Sequence, residues 1–213
     1  MGAVVLTKKV RRNLFDYGFR RTVVKCLTAM LKPVFCVRTY RLYRADLAHM
    51  EIAPAAASSF AIRFIRPDEE DCIRQIVAIE EWLSGIVQST LASGGKCLVA
   101  LDGKRVAGFN LVSFERIHLP VVHYRRPLGP NQAFSEQISV SRDYRGKGLA
   151  ATLRFEIFRA LKAEGKTRIY GGTDPRNDAN LALCRKVGLK EIADLRYVRV
   201  LWMDGTSVRR LRR

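Results

Sequence analysis

In the stretch from Val140 to Phe158 two glycines and two alanines stand beside Arg142, Arg145 and Lys147, between a strand-like run and a helical one. Successive residues with little side chain let backbone N–H groups turn toward a single point. A helix opening near Gly148 adds the positive end of its dipole at the same place. Arg145 and Lys147 bring charge to it. The chemistry these residues suit is the binding of a diphosphate. The same pattern also serves a plain strand-to-helix turn on a basic surface, and on the motif alone both readings stay open. It is not a Walker loop, because no Gly-Lys-Ser/Thr ending is present. It is not a dinucleotide fingerprint, because Gly-x-Gly-x-x-Gly is not satisfied.

Other chemistries are poorly served. The five cysteines, at 26, 36, 72, 97 and 184, contain no Cys-x-x-Cys pair. That argues against a zinc site or a disulfide framework and fits a reducing cytosol. His118 and His123 sit five apart in a loop with no third ligand nearby, so no metal is expected. The formal charge is +18 over 213 residues, and fourteen of those charges lie at the two ends. Residues 1–45 hold eleven Lys and Arg against the single acid Asp16, and Arg209, Arg210, Arg212 and Arg213 form a basic tail. Basic ends on a mildly basic middle point to docking on something anionic. No uncharged apolar run reaches membrane-spanning length, and Lys8, Lys9, Arg11 and Arg12 interrupt any signal-peptide core.

The elements that must position the loop follow from periodicity. Val10, Leu14, Val24, Leu27 and Leu31 recur at helical spacing, so residues 8–31 read as a basic amphipathic helix or helix pair ended by Pro33. An extended run, VRTYRLYRADL, follows. The Ala-, Ser- and Pro-rich residues 51–59 are the linker candidate. This divides the chain into a basic N-terminal segment (1–50), the linker (51–59) and a folded domain (60–213). From residue 60 the order is β-α-α-β-β-β-α-β-α-β-β. Asp102-Gly103 marks a hairpin turn, and residues 118–132 form a long loop. The layout is α+β, built around one central sheet.

Three features share one register with a known family. Arg145-Gly146-Lys147-Gly148-Leu149-Ala150 resembles the Arg/Gln-x-x-Gly-x-Gly/Ala motif of the GCN5-related N-acetyltransferase (GNAT) superfamily. SEQISV, residues 135–140, precedes it as the strand does there. NDANLALCRKVGLKE, residues 177–191, is similar to the family's Asn-x-x-Ala-x-x-Leu-Tyr-x-Lys-x-Gly-Phe helix. The resemblance spans residues 60 to 203. It implies the GNAT fold, an α/β/α sandwich whose mixed central sheet has a splayed pair of strands. It implies acetyl-CoA as acyl donor and no metal. The diphosphate would lie on Arg145, Gly146, Lys147, Gly148, Leu149, Ala150 and Ala151. The pantetheine arm would run along Ile138, Ser139 and Val140, with Asn177 beside it.

For catalysis the resemblance implies a carboxylate at Glu136 that serves as base or orients the substrate. Where many members carry a Tyr that protonates the departing thiolate, this chain has Cys184. A thiol can donate a proton, and a helix cysteine also serves as a small core residue. Tyr144 and Tyr170 are the substitutes to weigh. The implied reaction is direct attack of an amine on the thioester, with a backbone N–H near Val140 facing the oxyanion. Arg116, His118, His123, Arg125 and Arg126 make the acceptor side basic, which suits a neutral or acidic acceptor amine on a small molecule or peptide. Residues 8–31 fit an anionic membrane surface, RNA, or a helix packed on the domain with a solvated basic face. The expected place is the cytoplasm, with the inner face of the membrane as an extension of that reading, and a homodimer is compatible with it. Two classes remain: an N-acetyltransferase, with long-chain transfer as its variant, and a non-catalytic module that binds CoA or tethers a partner to membrane or RNA.

Overall fold

The computed structural model describes residues 35–52 and 59–211, so the helix expected over 8–31 and most of the expected linker lie outside the described residues. The elements are β1 (Phe35–Asp46), β2 (Ala61–Phe64), α1 (Glu70–Ile79), α2 (Ile86–Ala92), β3 (Lys96–Asp102), β4 (Arg105–Ser113), β5 (Arg116–Leu119), β6 (Tyr124–Pro127), β7 (Gln132–Val140), α3 (Leu149–Ala163), β8 (Arg168–Thr173), α4 (Asp178–Lys186), β9 (Lys190–Val200) and β10 (Met203–Arg210). Eight strands form one mixed sheet in the order β10-β9-β1-β8-β7-β4-β3-β2, and β5 and β6 form a separate hairpin. Helices cover both faces, as the α/β/α expectation requires.

Strand alternation explains the layering. In β3, Leu98 and Ala100 face the α3–α4 side, while Cys97, Val99 and Leu101 face α1 and α2. A strand buried on both sides reads as a nearly continuous apolar run, which is what KCLVAL is. In α3, Leu149, Leu153, Ile157 and Leu161 repeat every fourth residue and are buried. Burying such a stripe contributes roughly 2 kcal/mol per side chain. Arg154 occupies a place in that stripe and is itself buried.

Two expectations change. The extended run 35–46 is not part of a separate segment. It is β1, paired antiparallel with β8 (Arg41↔Thr173 to Asp46↔Arg168) and with β9 (Phe35↔Val200 to Arg44↔Lys190). Leu42 and Tyr43 are buried on opposite faces, and removing the strand would leave two sheet edges unpaired in the middle of the sheet. The sheet therefore includes residues 35–46, before the boundary drawn at 60. The long loop of 118–132 is mostly the β5–β6 hairpin, with Arg116↔Pro127 through Leu119↔Tyr124 in register. Ile117, Leu119 and Val122 anchor it in a core with Phe134 and Tyr170. The β3–β4 turn falls where expected, with Asp102 paired to Arg105 and Gly103 at φ 58°.

The central strands splay. β7 runs parallel to β8 from Gln132↔Arg168 to Ser135↔Gly171 and then parts from it, although β7 continues to Val140. The cause lies on its other side. β7 pairs with β4 as Val112↔Ser135 and then Leu111↔Gln137, so Glu136 is the extra residue of a β-bulge. A bulge bends the strand and re-aims the residue it carries.

Candidate active site

Where β7 and β8 part, a cavity of ≈ 480 Å³ opens. Its walls include Ile138, Ser139 and Val140 of β7, Arg145 and Ala150 at the start of α3, and Asn177 and Cys184 on the α4 side. The backbone edge of residues 136–140 that faces β8 has no strand beside it among the described residues. At its mouth Gly146 and Gly148 both have φ +78°, and a Cβ at either would meet nothing within 4 Å. Glycine is required there by backbone conformation, and the space in front is open. The N–H groups of Gly146, Lys147, Gly148, Leu149 and Ala150 donate to no described residue. Arg145 ties the loop to β7 through Nε to Val140 O at 3.0 Å, and its terminal nitrogens have no described partner. An anion with several oxygens fits this donor set.

The expected site residues divide by position. Glu136, Ile138, Ser139, Val140, Arg145, Ala150, Asn177 and Cys184 line the splay cavity. Gly146, Lys147 and Gly148 are exposed at its mouth, and Leu149 and Ala151 point into the core, so those two offer backbone only. Asn177 caps α4, its Oδ1 accepting from Asn180 N at 3.1 Å. Cys184 is buried, and burial pushes its thiol up, which keeps it protonated. Tyr144 and Tyr170 line neither this cavity nor its neighbour. The Tyr144 hydroxyl donates to Asp102 at 2.9 Å, and the Arg126 guanidinium covers the Tyr170 ring at 4.5 Å.

A second cavity, of ≈ 720 Å³, lies under the β5–β6 hairpin. Trp82, Ile86, Leu119 and Val121 form its apolar wall, with Ser89, Ser93, Glu115, Arg116 and His118 around them. Burial and the nearby Arg125 and Arg116 pull His118 down, so it is neutral at neutral pH. His123 points elsewhere, stacked on Tyr197 at 4.5 Å and 3.5 Å from Asp204. Arg126 is likewise turned away, onto Tyr170.

Three residues line both cavities: Glu136, Gln137 and Tyr40. The bulge carries Glu136 to this junction. Burial pushes its carboxyl up from the ordinary range, opposed by hydrogen bonds from Thr90, at 3.0 Å, and Ser113. A half-buried carboxylate held between two cavities, with its proton affinity raised, is suited to take a proton from a group entering the larger one.

Three further residues were not foreseen. Tyr40 comes from β1, which was assigned outside the domain. Glu80 follows α1, accepts from Ser139 Oγ at 2.8 Å and Trp82 Nε1 at 3.2 Å, and links the two cavity walls. Arg154 lines the splay cavity at 4% exposure, and among the described residues its Nε has no hydrogen-bond partner and no acid lies beside it. Burial pulls its guanidinium down to about 10, still cationic at neutral pH. One signal in the sequence could have found it: an arginine in the apolar stripe of α3.

The fold agrees with comparisons to known proteins. The family model described as Acetyltransferase (GNAT) family matches residues 57–189. Among solved structures, a Drosophila protein superposes over 87% of this chain and 58% of its own at 15% identity, with a TM-score of 0.57. A GCN5-related N-acetyltransferase from Sphaerobacter thermophilus does so over 88% and 57% at 19% identity, with a TM-score of 0.53. The glucosamine N-acetyltransferase region of a fungal multi-domain β-N-acetylglucosaminidase matches over 82% of this chain and 22% of that one at 17% identity, with a TM-score of 0.57. This chain thus spans under two thirds of each of these structures, and at such identities the likeness is one of fold. No curated protein matches it by sequence.

Proposed function

The chain belongs to the acetyltransferase (GNAT) family, and on that premise we propose that it transfers acetyl from acetyl-CoA to the amine of a neutral or acidic acceptor by direct attack. The observation that carries this reading is Glu136, held by a bulge at the junction of a donor-shaped cleft and a larger cavity. In this reading the free N–H groups of 146–150 and Arg145 hold the diphosphate. The unpaired edge of β7 receives the pantetheine arm. The acceptor lies under the β5–β6 hairpin, with its apolar part on Trp82 and Ile86 and any carboxylate at Arg116.

Each residue then has one task. Acetyl-CoA supplies an activated acyl carbon. Glu136 accepts the proton of the attacking amine. A backbone N–H on the open edge of β7 faces the developing oxyanion. The raised proton affinity of Glu136 suits a base that must hold a proton transiently. An anionic surface as partner of residues 8–31 rests on the sequence alone. No helix among the described residues is long and apolar enough to cross a membrane.

Calorimetric titration with acetyl-CoA, a long-chain acyl-CoA and free CoA tests the donor half, with Gly148→Glu as control. Micromolar binding lost in the variant supports the cradle. An absence of binding by every CoA species removes the reading. Release of free CoA above background with a panel of amines tests transfer, and a panel without any active amine would leave a CoA-binding module instead.

A further inference from the structure

Aminolysis of a thioester moves two protons at one place, one off the amine and one onto the departing sulfur. Glu136 accounts for the first under the reading above, on which this inference also rests. We propose that Tyr40, supplied by β1, is the catalytic residue for the second and donates its phenolic proton to the sulfur of departing CoA.

The position is specific. Tyr40 is, with Glu136 and Gln137, one of the three residues that line both cavities, so it stands where donor and acceptor must meet. Its ring lies over Gly172 of β8, where a Cβ would come within 2.5 Å of Cε1. The absence of a side chain at 172 is what admits the ring to the junction. Asp174 and Cys184 are its charged and titratable neighbours on the splay side. Its hydroxyl makes no hydrogen bond to any described residue, whereas the Tyr144 hydroxyl is committed to Asp102 and Tyr170 lines neither cavity. Burial, then the proximity of Asp174 and Cys184, pushes the phenol up, so it stays protonated at neutral pH. Cys184 is the competing donor, but an S–H is a weak one. Tyr40 also lies outside the segment that matches the family model, which begins at residue 57, so no motif of that segment assigns it.

The step balances. The amine nitrogen bonds to the acyl carbon as the C–S bond breaks, and the bonding pair leaves with sulfur. Sulfur takes the Tyr40 proton, Glu136 takes the amine proton, and the phenolate is reprotonated from solvent.

A phenol that donates to this sulfur must also favour the thiolate of bound CoA. The test follows the ultraviolet thiolate band of CoA bound to the full chain across pH. It compares wild type, Tyr40→Phe, Gly172→Ala and Cys184→Ala. Tyr40→Phe keeps the ring and loses the hydroxyl, and Gly172→Ala keeps the hydroxyl but displaces the ring. Both should raise the ionisation of bound CoA by about one to two pH units, the worth of one charge-assisted hydrogen bond. Cys184→Ala should leave it unchanged. CoA bound by wild type and Tyr40→Phe with the same ionisation overturns the proposal and leaves the donor reading standing. A shift in Cys184→Ala but not in Tyr40→Phe overturns it in favour of the thiol. Failure of wild type to bind CoA at all overturns both.

Discussion

The splay cavity offers backbone to its ligand, with five N–H groups at its mouth that donate to no described residue and the open edge of β7 along its wall. The cavity beneath the β5–β6 hairpin offers side chains: an indole, aliphatic groups, serine hydroxyls, one arginine and one neutral imidazole. Backbone recognition depends on where glycine is allowed and where a strand loses its neighbour. It tolerates few substitutions at few positions. Recognition by side chains is distributed, so each residue there should matter less. That contrast orders what mutation ought to do.

The largest effect is expected at Gly148. Glu there forces an L-residue into φ +78° and sets a negative charge on a phosphate cradle. CoA affinity should fall by about 100-fold or more, read by calorimetry. Retained affinity would mean that the loop is only a turn. At the junction, Glu136→Gln should lower kcat by about 100-fold while leaving CoA binding near wild type. Glu136 works as a base only when ionised, so activity should rise with pH through its raised pKa, above the ordinary carboxylate range. The Gln variant should lack that acidic limb, and a profile identical to wild type would remove Glu136 from the mechanism.

Arg154 sharpens the contrast from inside the splay cavity, because among the described residues it is the one cationic side chain there that is buried without an acid. Arg154→Met should weaken CoA binding about tenfold if the guanidinium faces the ligand's negative charge. The same change should raise the melting temperature of the ligand-free protein by about 2–4 °C, the shift for about 1 kcal/mol in a chain of this size. A lowered melting temperature would show that Arg154 serves the core instead. Trp82→Ala should have the smallest effect, raising the acceptor KM about fivefold with donor binding unchanged. A fall in CoA affinity there would erase the division between the two cavities.

The same division decided what could be read beforehand. Gly146, Gly148 and the alternation in SEQISV are local patterns with local causes, so loop, strand, helix and fold were legible. Glu136 was named, but its bulge was not, because a bulge is a mismatch of register between two strands and neither strand carries it alone. The hairpin cavity stayed hidden because Pro, His and Arg in residues 118–132 read as loop, while the hairpin is held by Ile117, Leu119 and Val122 packing on a distant core. Tyr40 was missed for a related reason. The extended run that contains it was recognised, but its pairing with strands more than 120 residues away has no local signature.

That pairing has a consequence for how the protein is made. β1 is among the first described residues to leave a ribosome, yet its two neighbours in the sheet, β8 and β9, are near the last. The strand must therefore wait, unpaired and partly apolar, for almost the whole chain to be synthesised before it can be enclosed. Until then Tyr40 has no Gly172 to lie against and the junction of the cavities does not exist. A nascent chain that stalls before β8 can shape much of its loop-to-helix scaffold, but it cannot assemble the site, so a truncated product should be both sticky and inert.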